Sequence, residues 1–542
     1  MVRRTIALEM RGDPMESANR RFFWPLASSL VLVFIAAAII RAQSPKSREF
    51  DLLTARVADI QAAVGAGALT YEHLVQLYLN RIEAYDKKGP RLNAVIEINS
   101  HALEIARALD AERKARGLRS PLHGIPVAVK DNIDVSDIPS AGGNLALAGT
   151  YPAHDAMVIR RLREAGAIIL LKANMDELAL GSQGLSSLGG QTLNPYDLKR
   201  NPGGSSGGTG VAVNVGFATV GLGTETGVSI RSPASNNAVI GIAPTRGLVS
   251  RAGVIPISFT QDRVGVHAKS VADAALVLES IRGFDPEDLL TRDSLGKIEQ
   301  PSYRDSIKEG LASARVGVLR DLFRKGEEFA AGNKLIEQQI AFLREQRAVV
   351  VDGLSTGVDL IGLMPSLRLN SYELRFAFDA YLRHRGPASP VKSLAELAAT
   401  GKYLKSLERQ FQQAVKRDPL DFDVEYQSRL ENQKMVRHLL IDLMNRYRVD
   451  ALVYPFKALG APLLGTSDGG VRDNPISSTT GLPAIVIPAG LNEEGLPIAI
   501  EFLGLPFSEP KLIQLAHAYE QASHRRVAPK STPHLQDEVF SY

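Results

Sequence analysis

Residues 202–233, PGGSSGGTGVAVNVGFATVGLGTETGVSIRSP, are the stretch that most restricts how this chain can fold. Within it, glycines flank two serine sites, Ser205 with Ser206 and then Ser229. Glycine is needed where a backbone turns with a positive φ or passes close to a reacting group. The small apolar residues 211–220 between the two sites have the size of a buried helix or a pair of strands. We therefore expect two serine turns that are held rigidly against each other.

Upstream of this stretch, Lys130 ends the apolar segment GIPVAVK, which is typical of a buried strand. A lysine accepts a proton only when it is neutral, and burial lowers its pKa toward that state. Residues 125–133 are mostly apolar, as such burial requires. An ion pair of Lys130 with Asp131 or Asp134 is the structural alternative. One lysine and two serines on glycine turns together provide the groups for nucleophilic acyl transfer without histidine.

The same glycines fit other glycine-rich motifs poorly. A Walker-type phosphate loop ends in Gly-Lys-Ser/Thr, and no lysine follows these glycines. A dinucleotide fingerprint needs G-x-G-x-x-G, whereas Gly221 and Gly223 are followed by Gly227, one residue too late. The segment GGSSG matches the nucleophile elbow of α/β-hydrolases, but that elbow follows a buried strand. Residues 193–202, LNPYDLKRNP, contain two Asn-Pro breaks and no apolar run, so this context does not fit an elbow.

Taken together, the motifs of this chain resemble the amidase signature family. The hallmark of that family is a Gly-Gly-Ser-Ser-Gly-Gly segment followed by a Gly-Ser/Thr-Asp-x-Gly-Gly-Ser-Ile-Arg-x-Pro segment. The resemblance extends over about residues 49–529 and includes the lysine segment and Asn174 with Met175. It also includes NPYDL at residues 194–198 and TGLPAIVIPAG at residues 480–490. Several long motifs in the same order make the resemblance specific.

The resemblance implies a Ser-cisSer-Lys triad. By position, Ser229 is the nucleophile, Ser205 is the bridging serine and Lys130 is the base. In this family the bridging serine follows a cis peptide bond, which is Gly204–Ser205 here, and Ser206 matches the serine that orients the lysine. The implied reaction is hydrolysis of a carboxylic amide to a carboxylate and ammonia or an amine. It would pass through an acyl-enzyme on Ser229 and use no cofactor.

The turn before the nucleophile is expected to hold the oxyanion with the backbone N–H groups of Thr226, Gly227, Val228 and Ser229. Two residues here depart from the family pattern. Glu225 stands where the family usually has aspartate, and its extra methylene must be accommodated. Val228 replaces a glycine, and a β-branched residue with a positive φ would be an outlier. We therefore expect β-region angles or a rebuilt turn at Val228, with its isopropyl group narrowing the acyl pocket.

Strand-like and helical segments alternate along the chain, which indicates an α/β sheet covered by helices. The resemblance implies a single large α/β/α layered domain with a mixed central sheet, over residues 44–542. Residues 354–442 are helical and charge-rich and match no named motif. In the resembled family the corresponding part of the chain varies and covers the substrate pocket, so we expect this insertion to line the pocket and to determine specificity. A solvated helical appendage is the alternative.

Residues 1–43 predict a signal peptide or an N-terminal membrane anchor. Arg20 and Arg21 precede the charge-free apolar residues 22–40, and the small residue Ala42 follows. This apolar run is just long enough to span a bilayer, so cleavage and retention as a transmembrane anchor both fit. We expect an exported enzyme, periplasmic or secreted, or one that associates with the membrane through residues 22–40.

Composition excludes several classes of site and partner. The chain has no cysteine, which rules out disulfides and thiolate metal sites. Its 10 histidines are scattered without the spacing of metal ligands, so no metal site is expected. A net charge of +4, with no dense basic block outside the N-terminus, gives no electrostatic reason to expect a nucleic-acid partner. The expected partner is a small-molecule amide.

Three other functions compete with the amidase interpretation. A glutaminase-type subunit of a tRNA-dependent amidotransferase would work in a cytosolic complex, and the predicted export segment argues against it. A catalytically inactive binding protein on the same fold is disfavoured because all three triad positions are retained. A Ser-His-Asp esterase that combines Ser205 with His517 or His524 is disfavoured because no strand-like segment precedes the serine.

Overall fold

A large mixed β-sheet forms the centre of the molecule in the computed structural model. The structure describes residues 48–298, 302–307, 310–312, 314–386, 389–466 and 474–542. The predicted signal peptide or anchor at residues 1–43, with its apolar run at residues 22–40, lies outside the described residues. Within the ranges just given, no helix is both long and apolar enough to cross a membrane.

Fifteen strands are found in the described residues. They are β1 Glu49–Asp51, β2 Val95–Ile98, β3 Pro126–Lys130, β4 Ile168–Ala173, β5 Leu185–Ser186, β6 Gly190–Gln191, β7 Val220–Glu225, β8 Ile240–Ala243, β9 Arg263–Ala268, β10 Arg315–Leu319, β11 Val349–Leu354, β12 Ala451–Pro455, β13 Ala484–Leu491, β14 Pro497–Leu503 and β15 Val539–Ser541.

The α-helices of the described residues are α1 Val57–Gly65, α2 Tyr71–Arg81, α3 Ala102–Arg116, α4 Met157–Glu164, α5 Gly207–Asn214, α6 Arg231–Asn236, α7 Val271–Ile281, α8 Tyr303–Ser306, α9 Glu327–Glu345, α10 Leu360–Leu363, α11 Asn370–Arg385, α12 Leu394–Ala399, α13 Glu408–Val415, α14 Val424–Tyr447, α15 Ile476–Thr480 and α16 Glu509–Ser523.

The central sheet has 11 strands in the order β11-β10-β12-β14-β13-β8-β9-β7-β3-β4-β2. Its pairing is mixed, because β7, β3 and β4 run parallel to one another whereas β9 runs antiparallel to β7. Helices α3, α4 and α5 pack against β4. Every residue of β3, β4 and β7 is buried, which is expected of strands covered on both faces. The predicted α/β class with a mixed central sheet is confirmed.

The parallel pairing of β3 with β7 determines where the functional residues meet. In this register Val127 lies opposite Val220 and Val129 lies opposite Leu222. The carboxyl ends of neighbouring parallel strands open at the same edge of a sheet, where ligands of α/β proteins bind. Lys130, the last residue of β3, therefore lies beside the end of β7.

Helix α5 follows directly after the first serine site, and β7 follows the helix after a short connection. The apolar run at residues 211–220 thus forms the end of a helix, that connection and the first residue of a strand, rather than one element. Gly208 allows α5 to pack closely, because a Cβ atom there would lie 2.4 Å from the carbonyl oxygen of Asn174. This contact fixes the start of the helix against the rest of the domain.

Several helix boundaries differ from those that periodicity indicates. The apolar pattern suggests a helix from residue 52, whereas α1 begins at Val57, whose N–H donates to the Asp273 carboxylate at 3.1 Å. That carboxylate comes from a distant part of the chain, so local sequence does not reveal it. Thr70, a residue type favoured at N-cap positions, caps α2 by accepting a hydrogen bond from the His73 N–H at 3.0 Å.

Candidate active site

Lys130 and Ser205 meet in the interior of the protein. The Lys130 Nζ atom donates to the Ser205 Oγ atom at 2.6 Å. It also donates to the Thr224 Oγ1 atom at 2.8 Å and to the Thr224 carbonyl oxygen at 3.3 Å. Lys130 and Ser205 are fully buried. Three oxygen acceptors thus surround the amine, and one of them is the hydroxyl of a predicted site residue.

Burial lowers the pKa of Lys130 to about 7. The nearby carboxylates of Asp176, Asp262 and Glu225 act in the opposite direction, since negative charges favour the protonated amine. Desolvation is the larger effect. At neutral pH the Lys130 amine therefore exists in both protonation states, as a proton acceptor requires.

The alternative, an ion pair of Lys130 with Asp131 or Asp134, does not match the positions of these two carboxylates. The Asp131 carboxylate accepts from the Gly143 N–H at 2.8 Å and lies 3.8 Å from the Lys172 ammonium. The Asp134 carboxylate accepts from the Tyr381 hydroxyl at 2.8 Å. Both carboxylates belong to a separate buried cluster around Lys172.

The first serine turn has an unusual backbone. The Gly204–Ser205 peptide bond is cis. Gly203 has φ +76°, and a Cβ atom there would lie 2.8 Å from the backbone of Ser232, so a side chain does not fit. Ser205 follows a loop, since β6 ends at Gln191, and it precedes α5. The strand that a hydrolase nucleophile elbow needs before its serine is thus absent from this described part of the chain.

Ser206 connects the two serine turns. Its backbone N–H donates to the Ser229 carbonyl oxygen at 3.2 Å. Its hydroxyl donates to the Thr224 carbonyl oxygen at 3.2 Å and accepts from the Thr224 N–H at 3.3 Å. Ser206 thus contacts Thr224, the residue whose oxygen atoms accept from the Lys130 amine.

Ser229 lies at the wall of a cavity of about 260 Å³. Its exposed fraction is 6%, so it is largely buried but reaches the cavity. Among the residues that the structure describes, the backbone N–H groups of residues 226–229 have no hydrogen-bond acceptor. Unpaired N–H groups that line a cavity are suited to bind a developing oxyanion. Thr226, Gly227 and Val228 all line this cavity with Ser229.

Glu225 holds the two ends of the loop that contains Ser229. Its carboxylate accepts from the backbone N–H groups of Ile230 at 3.0 Å and Arg231 at 3.2 Å. It also pairs with the guanidinium groups of Arg231 at 3.0 Å and Arg263 at 2.5 Å. Burial raises the pKa of Glu225, but the two guanidinium groups outweigh burial and the net shift is downward. The carboxylate is therefore charged at neutral pH.

Val228 is accommodated without a left-handed backbone. It is not among the described residues with positive φ. Its side chain is partly buried and packs against a small cluster that includes Val213, Phe456 and Val486. The same residue lines the cavity at Ser229. The isopropyl group of Val228 thus borders both the hydrophobic cluster and the cavity.

Residues 354–442 contribute part of the cavity wall. Arg368, Asn370 and Gln410 from this segment line the cavity with Ser229. Gln261 links the segment to the serine loop, because its side-chain amide donates to the Thr226 carbonyl oxygen at 3.0 Å and accepts from the Leu369 N–H at 2.7 Å. The last helix of this region, α14, extends to Tyr447, beyond the end of the predicted segment.

Sequence reasoning missed several residues that surround the site. Thr224 binds the Lys130 amine directly, and Asp176 and Asp262 are buried carboxylates whose charges act on it. Thr224 precedes Glu225 within the second glycine motif, so its position in that motif was an available signal. Asp176 follows the Asn174–Met175 segment directly. For Asp262 and Gln261 no motif gives a signal, since only the fold brings them to the loop.

Other features of the described chain lie apart from Ser229. A larger cavity, of about 440 Å³, borders α11 and is lined by Phe259, Phe376 and Tyr381 but by none of the predicted triad residues. His517 lies on α16 and His524 directly follows it. Throughout the described ranges, no group of three or more histidine, aspartate or glutamate side chains is arranged to hold a metal ion.

Comparisons with known proteins show the family and the fold of this chain. The family model described as Amidase matches residues 73–513. The chain is 35% identical to a probable amidase of Arabidopsis thaliana, over 94% of this chain and 99% of that protein. It is 34% identical to a subunit of the glutamyl-tRNA(Gln) amidotransferase of Moorella thermoacetica, over 84% of this chain and 95% of that protein. The solved structure of a peptide amidase from Stenotrophomonas maltophilia matches with a TM-score of 0.79 and 38% identity, covering 88% of this chain and 99% of that one.

Proposed function

The chain belongs to the amidase family and is a hydrolase that acts on the C–N bonds of amides, and from this premise we propose that it works through an acyl-enzyme on Ser229. In this proposal Ser205 and Lys130 relay the proton. The observation that carries it is the 2.6 Å hydrogen bond between the Lys130 amine and the Ser205 hydroxyl in a fully buried site.

The relay uses a neutral lysine. Lys130 accepts the proton of Ser205 while Ser205 accepts that of Ser229, and the Ser229 oxygen attacks the amide carbonyl carbon. Ser205 then returns a proton to the departing nitrogen, which leaves as ammonia or an amine. Water attacks the Ser229 ester by the same route in reverse and releases the carboxylate. The pKa of about 7 for Lys130 supports this role.

The tetrahedral intermediate needs donors at its oxyanion. We assign this role to the backbone N–H groups of residues 226–229, which lack acceptors within the described chain and border the cavity. Glu225 keeps these donors in position by binding the N–H groups of Ile230 and Arg231. Backbone donors that are fixed before the reaction stabilise charge without reorganisation.

The nucleophile assignment is tested by substitution and active-site labelling. Ser229→Ala removes only a hydroxyl, so the variant should fold while kcat falls by roughly 10⁴-fold or more. A fluorophosphonate probe should label Ser229, as located by peptide mass spectrometry. Ser182→Ala is the matched control, because Ser182 lines the same cavity without a place in the relay. Labelling at Ser205 instead of Ser229 would refute the order of the relay.

Peptide amides are the substrate class that we propose. The similarity to a peptide amidase supports this choice. So does the cavity wall, where Arg368, Asn370 and Gln410 offer amide and guanidinium groups to a peptide backbone. A panel of acetamide, a nitroanilide, a long-chain amide and a peptide amide tests it. The peptide amide should have the highest kcat/KM, and a preference for the long-chain amide would contradict the proposal.

A glutaminase-type subunit of a tRNA-dependent amidotransferase is the second candidate, supported by the similarity to the glutamyl-tRNA(Gln) amidotransferase protein of Moorella thermoacetica. Such a subunit would act on glutamine within a complex. The two candidates differ in what the purified chain does alone. Hydrolysis of simple amides by the isolated chain supports the amidase. Activity on glutamine that appears only with partner subunits supports the amidotransferase.

A further inference from the structure

A second polar cavity, of about 210 Å³, lies apart from Ser229. Its wall combines residues near the start of the described chain with the end of α16 and the residues that follow. None of the proposed catalytic residues lines it. The lining side chains that matter here are Arg56, Lys269, Glu520, Arg525 and Arg526.

Positive charge dominates this second cavity. Four cationic side chains face one carboxyl group, that of Glu520, whose oxygen accepts from the Val271 N–H at 3.0 Å. Arg56 is paired with Asp59 at 3.3 Å. Among the described residues, Lys269, Arg525 and Arg526 form no salt bridge. Like charges gathered in a concave surface repel one another and favour an anion that neutralises them.

Lys269 is the most deeply placed of these cations. Its exposed fraction is 6%, and its Nζ atom donates to the Leu52 carbonyl oxygen at 3.0 Å. An ammonium group has three donors, so this single neutral acceptor does not satisfy it. Burial lowers the pKa of Lys269 to about 7, and the charge of Arg526 adds to that effect. An anion bound in the cavity would favour the protonated amine, as the buried Asp273 carboxylate already does.

The two arginines also retain donors for a ligand. Arg526 donates from its Nη2 atom to the Asn214 carbonyl and side-chain oxygens at 3.2 and 3.1 Å. Its Nε atom is buried and has no acceptor within the described chain. Arg525 lies over the Phe342 ring, 6.0 Å from its centroid, and within the described part of the chain its N–H groups have no hydrogen-bond acceptor. Ser270 and Ser523 add hydroxyl groups to the wall.

We propose that this cavity binds a phosphate group, held by Lys269, Arg525 and Arg526. Guanidinium groups match phosphate oxygens with paired donors, and an ammonium group adds a point charge. The cavity is separate from the amide-hydrolysing site, so the proposal does not depend on the mechanism given above. The phosphate would enter either as the free ion or as part of a phosphate monoester.

Isothermal titration calorimetry on the full chain tests the site, with inorganic phosphate and glycerol phosphate as two separate ligands. The measurement is made in a phosphate-free buffer at constant ionic strength. We expect saturable binding of at least one ligand at one site per chain. Arg525→Gln and Arg526→Gln should each weaken it by about tenfold or more, since each removes a charged donor. The ligand that binds more tightly shows whether the site prefers the free ion or the monoester.

Two controls make the test decisive. Arg116→Gln removes an exposed arginine at the end of α3, and it should leave phosphate affinity unchanged. Ser229→Ala should also retain binding, because the phosphate does not occupy the amide site. Lys269→Met extends the series, and if it fails to fold the two arginine variants still decide the outcome. The proposal would be overturned if neither ligand shows saturable binding. It would also be overturned if both arginine variants bind phosphate as tightly as the wild type does.

Discussion

At Lys130, burial and hydrogen bonding act on the same amine. Desolvation favours the neutral form, whereas Asp176, Asp262 and Glu225 favour the charged form. The balance leaves the pKa at about 7, near the pH at which a base is most useful. Thr224 positions the amine, because its hydroxyl and carbonyl oxygens accept from it and hold it beside Ser205.

The Lys130→Arg variant tests whether residue 130 acts as a proton acceptor or only as a positive charge. Arginine keeps the positive charge but is not deprotonated in proteins, so it cannot accept the proton of Ser205. We expect kcat to fall almost as far as in Lys130→Ala, by roughly 10⁴-fold. Initial rates on a simple amide, with circular dichroism as the check on folding, measure this. A fully active Lys130→Arg enzyme would end the relay mechanism.

The pH dependence of kcat/KM follows from the sign of the Lys130 shift. The active form is neutral, so the rate should rise with pH through about 7 and then level off. Asp176 is charged at neutral pH, since burial raises its pKa only to about 6, and its charge raises the pKa of Lys130. Asp176→Asn should therefore move the rise to lower pH. Asp137→Asn is the control, because Asp137 is an exposed carboxylate that pairs with Arg163, and it should leave the pH of the rise unchanged.

At the residue scale, motifs predicted the meeting of Lys130 with Ser205 but not the residues around it. Glycine-flanked serines and a lysine at a strand end are local patterns, and the family resemblance gave them an order. Asp262 and Gln261 have no local pattern, because they reach the Ser229 loop only through the pairing of β9 with β7. The cluster that Val228 packs against likewise combines residues far apart in the chain, among them Val213 and Val486.

At the scale of elements, the loop between β7 and α6 depends on one carboxylate. Glu225 ends β7, and it binds the N–H groups of Ile230 and Arg231 at the start of α6. Arg231 has a second partner, Glu501, at 2.9 Å, whereas the guanidinium of Arg263 pairs with Glu225. The longer side chain of glutamate thus bridges both ends of the loop and both arginines.

Glu225→Gln tests this bridge. The substitution keeps the shape but leaves the buried Arg263 without its carboxylate, a loss of about 3–5 kcal/mol in the free energy of unfolding. Urea unfolding monitored by circular dichroism measures it, and kcat should fall because the oxyanion donors are less well fixed. Glu225→Asp keeps the charge and should lose much less stability. Equal stability of Glu225→Gln and wild type would show that the carboxylate does not hold the loop.

Helices were predicted best where apolar residues recur along the segment at helical spacing. Val271–Ile281 and Ala102–Arg116 agree with periodicity because each shows apolar spacing between clear ends. Helix α9 begins at Glu327, before the apolar pattern that starts at residue 333, and Phe329 and Gly332 in its first turns are already buried. Sheet order was beyond sequence reasoning, because it depends on contacts between strands far apart in the chain.

At the scale of the whole molecule, residues 354–442 and the sheet together enclose the amide site. Arg368, Asn370 and Gln410 border a cavity whose opposite wall is the Ser229 loop. The sheet thus supplies the groups proposed for catalysis, and the helical segment supplies side chains that line the same cavity. We propose that changes in this segment alter KM among amides while kcat for a small amide such as acetamide is kept.

The location of the enzyme is a further proposal for the whole chain. Residues 1–43 have the charge and apolarity of a signal peptide or an anchor, and we propose that they direct export or membrane association. Protein isolated from its native host should begin near Gln43 if the segment is cleaved, or sediment with membranes if it is retained. Fractionation combined with N-terminal sequencing distinguishes the two. Soluble cytosolic protein that still contains residues 22–40 would contradict both forms and would favour the amidotransferase, because that complex works beside tRNA in the cytosol.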